Sequence, residues 1–209
     1  MPLRLQLAVV RLGIMDQMYT SERTDGRLGA SNRYVSACLI DDAPEPAGAG
    51  WRSVGLSNAC QEERFWCWAA IGEAVDRHYG GQSWPQCRIA AAVLGESACC
   101  GPDRPRSCDR RQKLSTALST VGRYGRMVMG ALDPVALRAE IDAGRPVAAA
   151  IRWRSDGGFH FVLCIGYDSA AESVLIEDPD RGRVMLDYPM FLGAYALDGE
   201  WTHSYLTRP

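Results

Sequence analysis

The stretch CQEERFWCWAAIGEAVDRHY, residues 60 to 79, constrains the chain more than any other. From Cys67 onward the apolar positions Trp68, Ile71, Val75 and Tyr79 recur at helical spacing, and Ala69, Ala70, Gly72 and Ala74 keep the surface thin enough to lie inside a domain. Glu73 and Arg77 form an i,i+4 pair on the more polar side, and Gly80 and Gly81 stop the helix. A cysteine therefore opens a central helix, at the end where unpaired backbone N–H groups and the helix dipole favour a thiolate. Gln61 stands six residues before it. The loop between them can fold the Gln61 amide back beside the Cys67 backbone N–H, giving two donors of the kind acyl transfer needs at its developing oxyanion. Taken alone, the stretch fits a small buried cysteine and a surface glutamine just as well.

The chain has three histidines to serve such a thiol. His78 ends the same helix, roughly 16 Å along its axis from Cys67 at 1.5 Å per residue, too far to act on it. His203 has no acid at a telling distance. His160 opens the strand FHFVLCIGY, in which alternation sends Phe159, Phe161, Leu163 and Ile165 to one face and His160, Val162 and Cys164 to the other. Gly157 and Gly158 before it are expected to leave room for a substrate. A polar residue at the entrance of an apolar strand is either a satisfied core histidine or a functional one. The next strand, in LIEDP, returns antiparallel and brings Asp178 alongside His160, where an acceptor holds the imidazole in the tautomer that takes a cysteine proton. Cys67 and His160 are then expected to titrate as a coupled ion pair. Attack on a carbonyl gives a thioester, and His160 serves first the leaving amine and then water. This scheme uses no metal and no cofactor.

The remaining pattern is that of an α+β fold, helices first and an antiparallel sheet second. Helices are expected at 67–79, 87–94, 113–121 and 133–143, the last capped by Asp133 with Pro134 at its start. Strands are expected at 147–153, in FHFVLCIGY, SVLIEDP and RVMLDY, and at 202–206, with a short helical turn at 188–192. Upstream, residues 3–13 and 33–41 read as strands and DDAPEPAGAG as a linker. Residues 1–50 are thus an N-terminal extension, either a small β element or a segment crossing the cleft, and residues 51–209 the catalytic domain. Of Trp66 and Trp68, one is expected to line the cleft and the other to pack in the core. Trp153 belongs either beside His160 or in the core, and Met127, Met129 and Met185 read as core gap-fillers.

A formal charge of -2 gives no reason to expect nucleic acid or an anionic membrane as partner. The basic run Arg104, Arg106, Arg110, Arg111 and Lys113 lacks interleaved aromatics and reads as a solvated loop. No apolar run reaches membrane-spanning length, and the start lacks the marks of a cleaved signal peptide. The chain is expected either in the cytoplasm or exported by a route that leaves its start uncleaved. Eight cysteines are many for a reducing compartment. Cys87, Cys99, Cys100 and Cys108 cluster, and adjacent Cys99 and Cys100 are awkward joint zinc ligands, so local disulfides or structural thiols are preferred to a metal. Disulfides would imply an oxidising compartment or export.

Together, QEERFWCWAA, QCRIAAAVLG with the cysteines after it, GGFHFVLCIGY and IEDPDRG resemble bacterial papain-like cysteine peptidases. The likeness is to the group related to secreted plant-pathogen effector proteases and, more broadly, to the bacteriocin-processing peptidases of ABC exporters. It covers about residues 55 to 195. It implies a papain-like fold, with the nucleophile on a central helix of an N-terminal helical lobe and a C-terminal sheet carrying the histidine and aspartate. By motif, Cys67 matches the nucleophile, Gln61 the oxyanion-hole glutamine, His160 the histidine and Asp178 the aspartate. A protein or peptide substrate follows, and the later cysteines take a structural role. Two other readings share these residues: a Cys-His-Asp acyltransferase or amidase of transglutaminase type, and an idle papain-like scaffold used for binding. The complete residue set argues against the second.

Overall fold

The computed structural model describes Cys38, residues 50–57 and residues 60–209. Apart from Cys38 and Gly50, the strands expected at 3–13 and 33–41 and the linker after them lie outside the described residues. The elements are β1 (Trp51–Ser53), α1 (Cys67–His78), α2 (Gln86–Leu94), α3 (Leu114–Thr120), β2 (Tyr124–Met129), α4 (Pro134–Asp142), β3 (Val147–Trp153), β4 (Phe159–Asp168), β5 (Ser173–Asp178), β6 (Gly182–Asp187), α5 (Tyr188–Gly193) and β7 (Gly199–Thr207). Two short 3-10 turns, Ser97–Cys100 and Arg106–Cys108, lie between α2 and α3.

The strands make one antiparallel sheet in the order β2-β7-β3-β4-β5-β6, and β1 pairs with the far end of β4. Helices cover both faces. Ala148 and Ala150 of β3 and Phe161, Leu163 and Ile165 of β4 pack toward α1, α2 and α3, and the intervening residues Val147, Ala149, Ile151, Val162 and Cys164 pack with Leu137, Ile141 and Phe191 from α4 and α5. A strand buried on both faces reads as a continuous apolar run, which is why VAAAI and FVLCI carry no polar alternation. Each large side chain taken fully from water contributes about 1.5–3 kcal/mol, and Trp66, Trp68, Phe191 and Tyr195 are among those less than 2% exposed. α1 forms as its pattern demands, burying Trp68, Ala69, Ala70, Ile71, Ala74 and Val75. Gly72 lets α2 come close, since a Cβ there would stand 3.1 Å from Ile89 Cδ1. The start of α4 is capped as expected: Asp133 Oδ1 accepts from the N–H groups of Val135 and Ala136, each at 2.9 Å.

Two expectations fail at the sheet margins. Strand β2 is absent from the sequence reading because YGRMVM is an edge strand, mostly exposed, with no apolar alternation to betray it. Met127, Met129 and Met185 are not core gap-fillers but 43%, 70% and 47% exposed, standing on the edge strands β2 and β6.

Six cysteines form the disulfides Cys38–Cys60, Cys87–Cys100 and Cys99–Cys108, leaving Cys67 and Cys164 as thiols. The Ser97–Cys100 turn buries Cys99 and leaves Cys100 exposed, so neighbours in sequence take different partners. Glu96 lies with Cys99 and Cys108 in a group of potential metal ligands, but those two sulfurs are bonded to each other. Among the described residues no helix is long and apolar enough to cross a membrane.

Candidate active site

The loop from Cys60 to Trp66 delivers Cys67 to the start of α1, and its backbone is fastened from several sides. Gln61 N–H donates to the Pro179 carbonyl at 2.8 Å, tying the loop to the residue after Asp178. Buried Gln86 spans the loop base, with Nε2 donating to the Cys60 carbonyl at 2.8 Å and Oε1 accepting from Glu62 N–H at 3.0 Å. The disulfide-bearing segment holds the far side. Phe65 N–H donates to Asp109 Oδ1 at 2.8 Å, Trp66 Nε1 to the Cys108 carbonyl at 2.7 Å, and Trp68 Nε1 to the Arg110 carbonyl at 2.9 Å. Arg104 pairs with Glu62 and Glu63, donates to the Cys99 carbonyl and lies 4.3 Å over the Trp66 ring. Both tryptophans that flank Cys67 are fully buried, so neither lines the cleft as expected of one of them; Phe65 does.

On the sheet side, His160 stands opposite Ile151 near the open end of β4, and Asp178 ends β5. His160 Nε2 bonds Asp178 Oδ1 at 2.7 Å. Asp178 is completely buried, and its carboxylate also accepts from the Tyr195 hydroxyl and from the backbone N–H groups of Asp180 and Arg181. Burial alone would raise the Asp178 pKa, but the His160 charge and hydrogen bond, with Tyr195 and the Asp180 N–H, hold it below the ordinary carboxylate value. Burial likewise acts to lower the His160 pKa. The Asp178 charge and hydrogen bond outweigh it, the Cys67 sulfur adds to them, and the imidazole is pushed up to about 10.

Trp153 stacks on the imidazole, with centroids 6.2 Å apart and planes 18° from parallel, which decides its place beside His160. Tyr195 is the site residue that sequence reasoning missed. Its segment after α5 carries no motif, and it reaches Asp178 because Gly199 lets the turn lie against β3; a Cβ there would meet Ile151 Cγ2 at 2.5 Å. Gly157 has φ +69 and the hydrogen-bonded turn needs it, and neither Gly157 nor Gly158 lines the cleft.

Gln61, Cys67 and His160 line one cleft of about 280 Å³, together with Phe65, Trp153 and Phe159. The Gln61 amide is buried and its Nε2 donates to the carbonyls of Glu63 at 3.1 Å and Arg64 at 2.9 Å, so reaching an oxyanion means sharing or releasing one of these hydrogens. The other histidines are elsewhere. His78 Nε2 contacts the Gly144 carbonyl, and His203 Nδ1 contacts the Thr202 hydroxyl. The arrangement has a free cysteine sulfur at a helix start, an imidazole hydrogen-bonded to a buried carboxylate, and nearby amide groups, which are the parts that acyl transfer through a thioester requires.

The profile of the family described as papain-like cysteine protease AvrRpt2 matches residues 49–188. No curated protein sequence matches the chain at a significant level. Among solved structures, one from work on the mite allergens Blo t 1 and Der p 1 is similar at 10% identity and a TM-score of 0.51, over 82% of this chain and 76% of that chain. Xylellain, a cysteine protease from Xylella fastidiosa, aligns at 13% identity and a TM-score of 0.46, over 85% of this chain and 98% of that one. A double glycine motif protease from an AMS/PCAT transporter, solved with its leader peptide, aligns at 18% identity and a TM-score of 0.45, over 76% of this chain and 95% of that one. At these identities the likeness concerns the fold alone.

Proposed function

The chain belongs to the papain-like cysteine protease AvrRpt2 family, and from that membership we propose that Cys67 is the nucleophile of its peptide-bond hydrolysis, His160 the general base and acid, Asp178 the group that orients the imidazole, and Gln61 a donor to the oxyanion. The observation that carries this reading is the hydrogen bond from buried Asp178 to His160 Nε2, made in the cleft that Cys67 and Gln61 also line. Asp178 keeps the imidazolium charged in the cleft that the Cys67 sulfur shares. The thiolate attacks the scissile carbonyl, and negative charge develops on its oxygen. Among the described residues the Cys67 backbone N–H has no acceptor, as expected of a helix's first residue, so it is available to that oxygen. Gln61 joins it by turning an amide hydrogen from a loop carbonyl.

Collapse of the intermediate breaks the C–N bond. His160 gives its proton to the leaving amine, and the acyl group remains on Cys67 as a thioester. Neutral His160 then takes a proton from water, whose oxygen attacks the thioester. The carboxylic acid leaves and the thiolate–imidazolium pair is restored. Trp153 over the ring keeps bulk water from the ion pair.

The test is turnover of a diverse peptide library by the wild type and by Cys67→Ala, with and without an added amine. Turnover in the variant is expected to fall by about 10⁴-fold or more while circular dichroism is unchanged, and the products are free carboxylic acids even with amine present. Undiminished cleavage would remove Cys67 from its role, and amide products would replace hydrolysis by transfer.

A further inference from the structure

The cleft carries more positive charge than the catalytic chemistry uses. Its lining includes Arg64, Arg111 and Arg181 against a single carboxylate, Asp180. Arg181 is engaged, with Nε 3.9 Å from Asp178 Oδ2 and its N–H on Oδ1. Other arginines near the nucleophile loop have their acids: Arg104 holds Glu62 and Glu63, and Arg110 holds Glu96. Arg64 and Arg111 do not. Among the described residues neither guanidinium has a carboxylate partner, and both are directed at one ring, lying 5.6 Å and 4.6 Å from the centroid of Phe65.

A solvated basic loop would not be built this way. The two arginines come from segments distant in sequence and converge on a single aromatic ring two residues before Cys67. Their backbones are fixed by the bonds that form the site. The Arg64 carbonyl accepts from Gln61 Nε2, Phe65 N–H is held by Asp109, and the Arg110 carbonyl next to Arg111 accepts from Trp68 of α1. Asp109 does not line the cleft, and its Oδ1 is occupied by that N–H. A guanidinium resting on an aromatic ring is held in orientation while its N–H edges stay open to an acceptor, and two such edges suit a carboxylate.

Resting on the peptidase reading, we propose that Arg64, Phe65 and Arg111 form a substrate subsite for an acidic side chain, so that the enzyme selects peptides carrying Asp or Glu near the scissile bond. Arg64 is three residues from Cys67, so their Cα atoms are at most about 11 Å apart at ~3.8 Å per residue. That is the length of about three extended substrate residues, which bounds where the acid falls.

The test uses peptide pools in which Glu, Gln or Lys is fixed at each of the three positions on either side of the cleaved bond. For the wild type, kcat/KM at one of these positions is expected to be about tenfold higher for Glu than for Gln, with Lys lower still, and the Glu advantage shrinks with added salt. In Arg64→Gln/Arg111→Gln the Glu-to-Gln ratio falls to near one, Arg64→Lys/Arg111→Lys retains part of it, and Arg64→Glu/Arg111→Glu turns the preference toward Lys. The same pools are measured for binding to the Cys67→Ala protein by fluorescence anisotropy. Preferential binding of the Glu pools there upholds the subsite even if the wild type cleaves nothing, an outcome that would sink the peptidase reading alone. Equal handling of Glu and Gln at every position, or a ratio that survives loss of both arginines, overturns the subsite and leaves the peptidase reading standing.

Discussion

The loop that carries Cys67 and the sheet that carries His160 meet at one cleft but are held by different means. On the loop side no strand ladder fixes the backbone. The disulfides Cys87–Cys100 and Cys99–Cys108 brace the segment that grips Phe65, Trp66 and Trp68, and Cys38–Cys60 anchors the loop's first residue. On the sheet side β3, β4 and β5 pair residue by residue, and among the described residues no disulfide touches them. There the precision comes from buried hydrogen bonds around Asp178. An irregular loop needs crosslinks to stay in place, because its unfolded alternatives are many. A central strand has its positions set by its neighbours.

That contrast is open to attack from both sides. The sheet side should be the more sensitive in chemistry and the less sensitive in fold. Asp178→Asn keeps the shape of the buried side chain but removes the charge that orients and protonates His160, so kcat is expected to fall by about 10³-fold or more, while stoichiometric labelling of the Cys67 thiol still occurs. A rate equal to wild type would reject the orienting role. The loop side should answer to redox conditions. Reduction of the disulfides is expected to cost about 2–4 kcal/mol for each bond, and hydrogen exchange should accelerate across residues 60–111 while β4 and β5 keep their protection. Equal loosening of both regions would show that the contrast is false.

Smaller effects refine the picture. Gln86→Ala removes two hydrogen bonds to the loop backbone and leaves buried polar groups to be satisfied otherwise, a loss of about 1–3 kcal/mol. Thermal unfolding should show it, and the alkylation rate of Cys67 should change with it; a variant as stable as wild type would deny Gln86 its bracing role. The pH dependence of stability tests the sheet side. Since the folded His160 holds its proton up to about 10 and the unfolded imidazole titrates near 6.5, its contribution is full below about pH 6.5 and is lost as pH rises toward 10. The melting temperature of the wild type should therefore decline over that window more steeply than that of His160→Gln. Parallel curves would mean that the imidazolium is not held as described.

Much of the catalytic plan is legible along the chain because its residues sit on strong local patterns. Cys67 opens an amphipathic helix, His160 interrupts an apolar strand, and Asp178 ends the next strand at a short antiparallel spacing that alternation alone can align. The residues that were not legible act through long-range contact. Tyr195 reaches Asp178 from a turn beyond α5, Gln86 reaches the loop from the next helix, and β2 pairs with β7 at the far end of the chain. Arg111 reads as part of a solvated basic run, and only its approach to Phe65 separates it from Arg104 and Arg110, which hold structural ion pairs.

The sequence by itself determined the order of helices before sheet, the helix that begins with Cys67, the strand that carries His160 near its start and the proximity of Asp178, because periodicity and short antiparallel returns are local properties of a chain. Tertiary structure alone decided which cysteines pair, which aromatic residues line the cleft, what steadies Asp178 from behind and which arginines line the cleft with no carboxylate partner among the described residues. Those outcomes depend on which distant groups meet once the core has closed, and no residue carries that information in its neighbours.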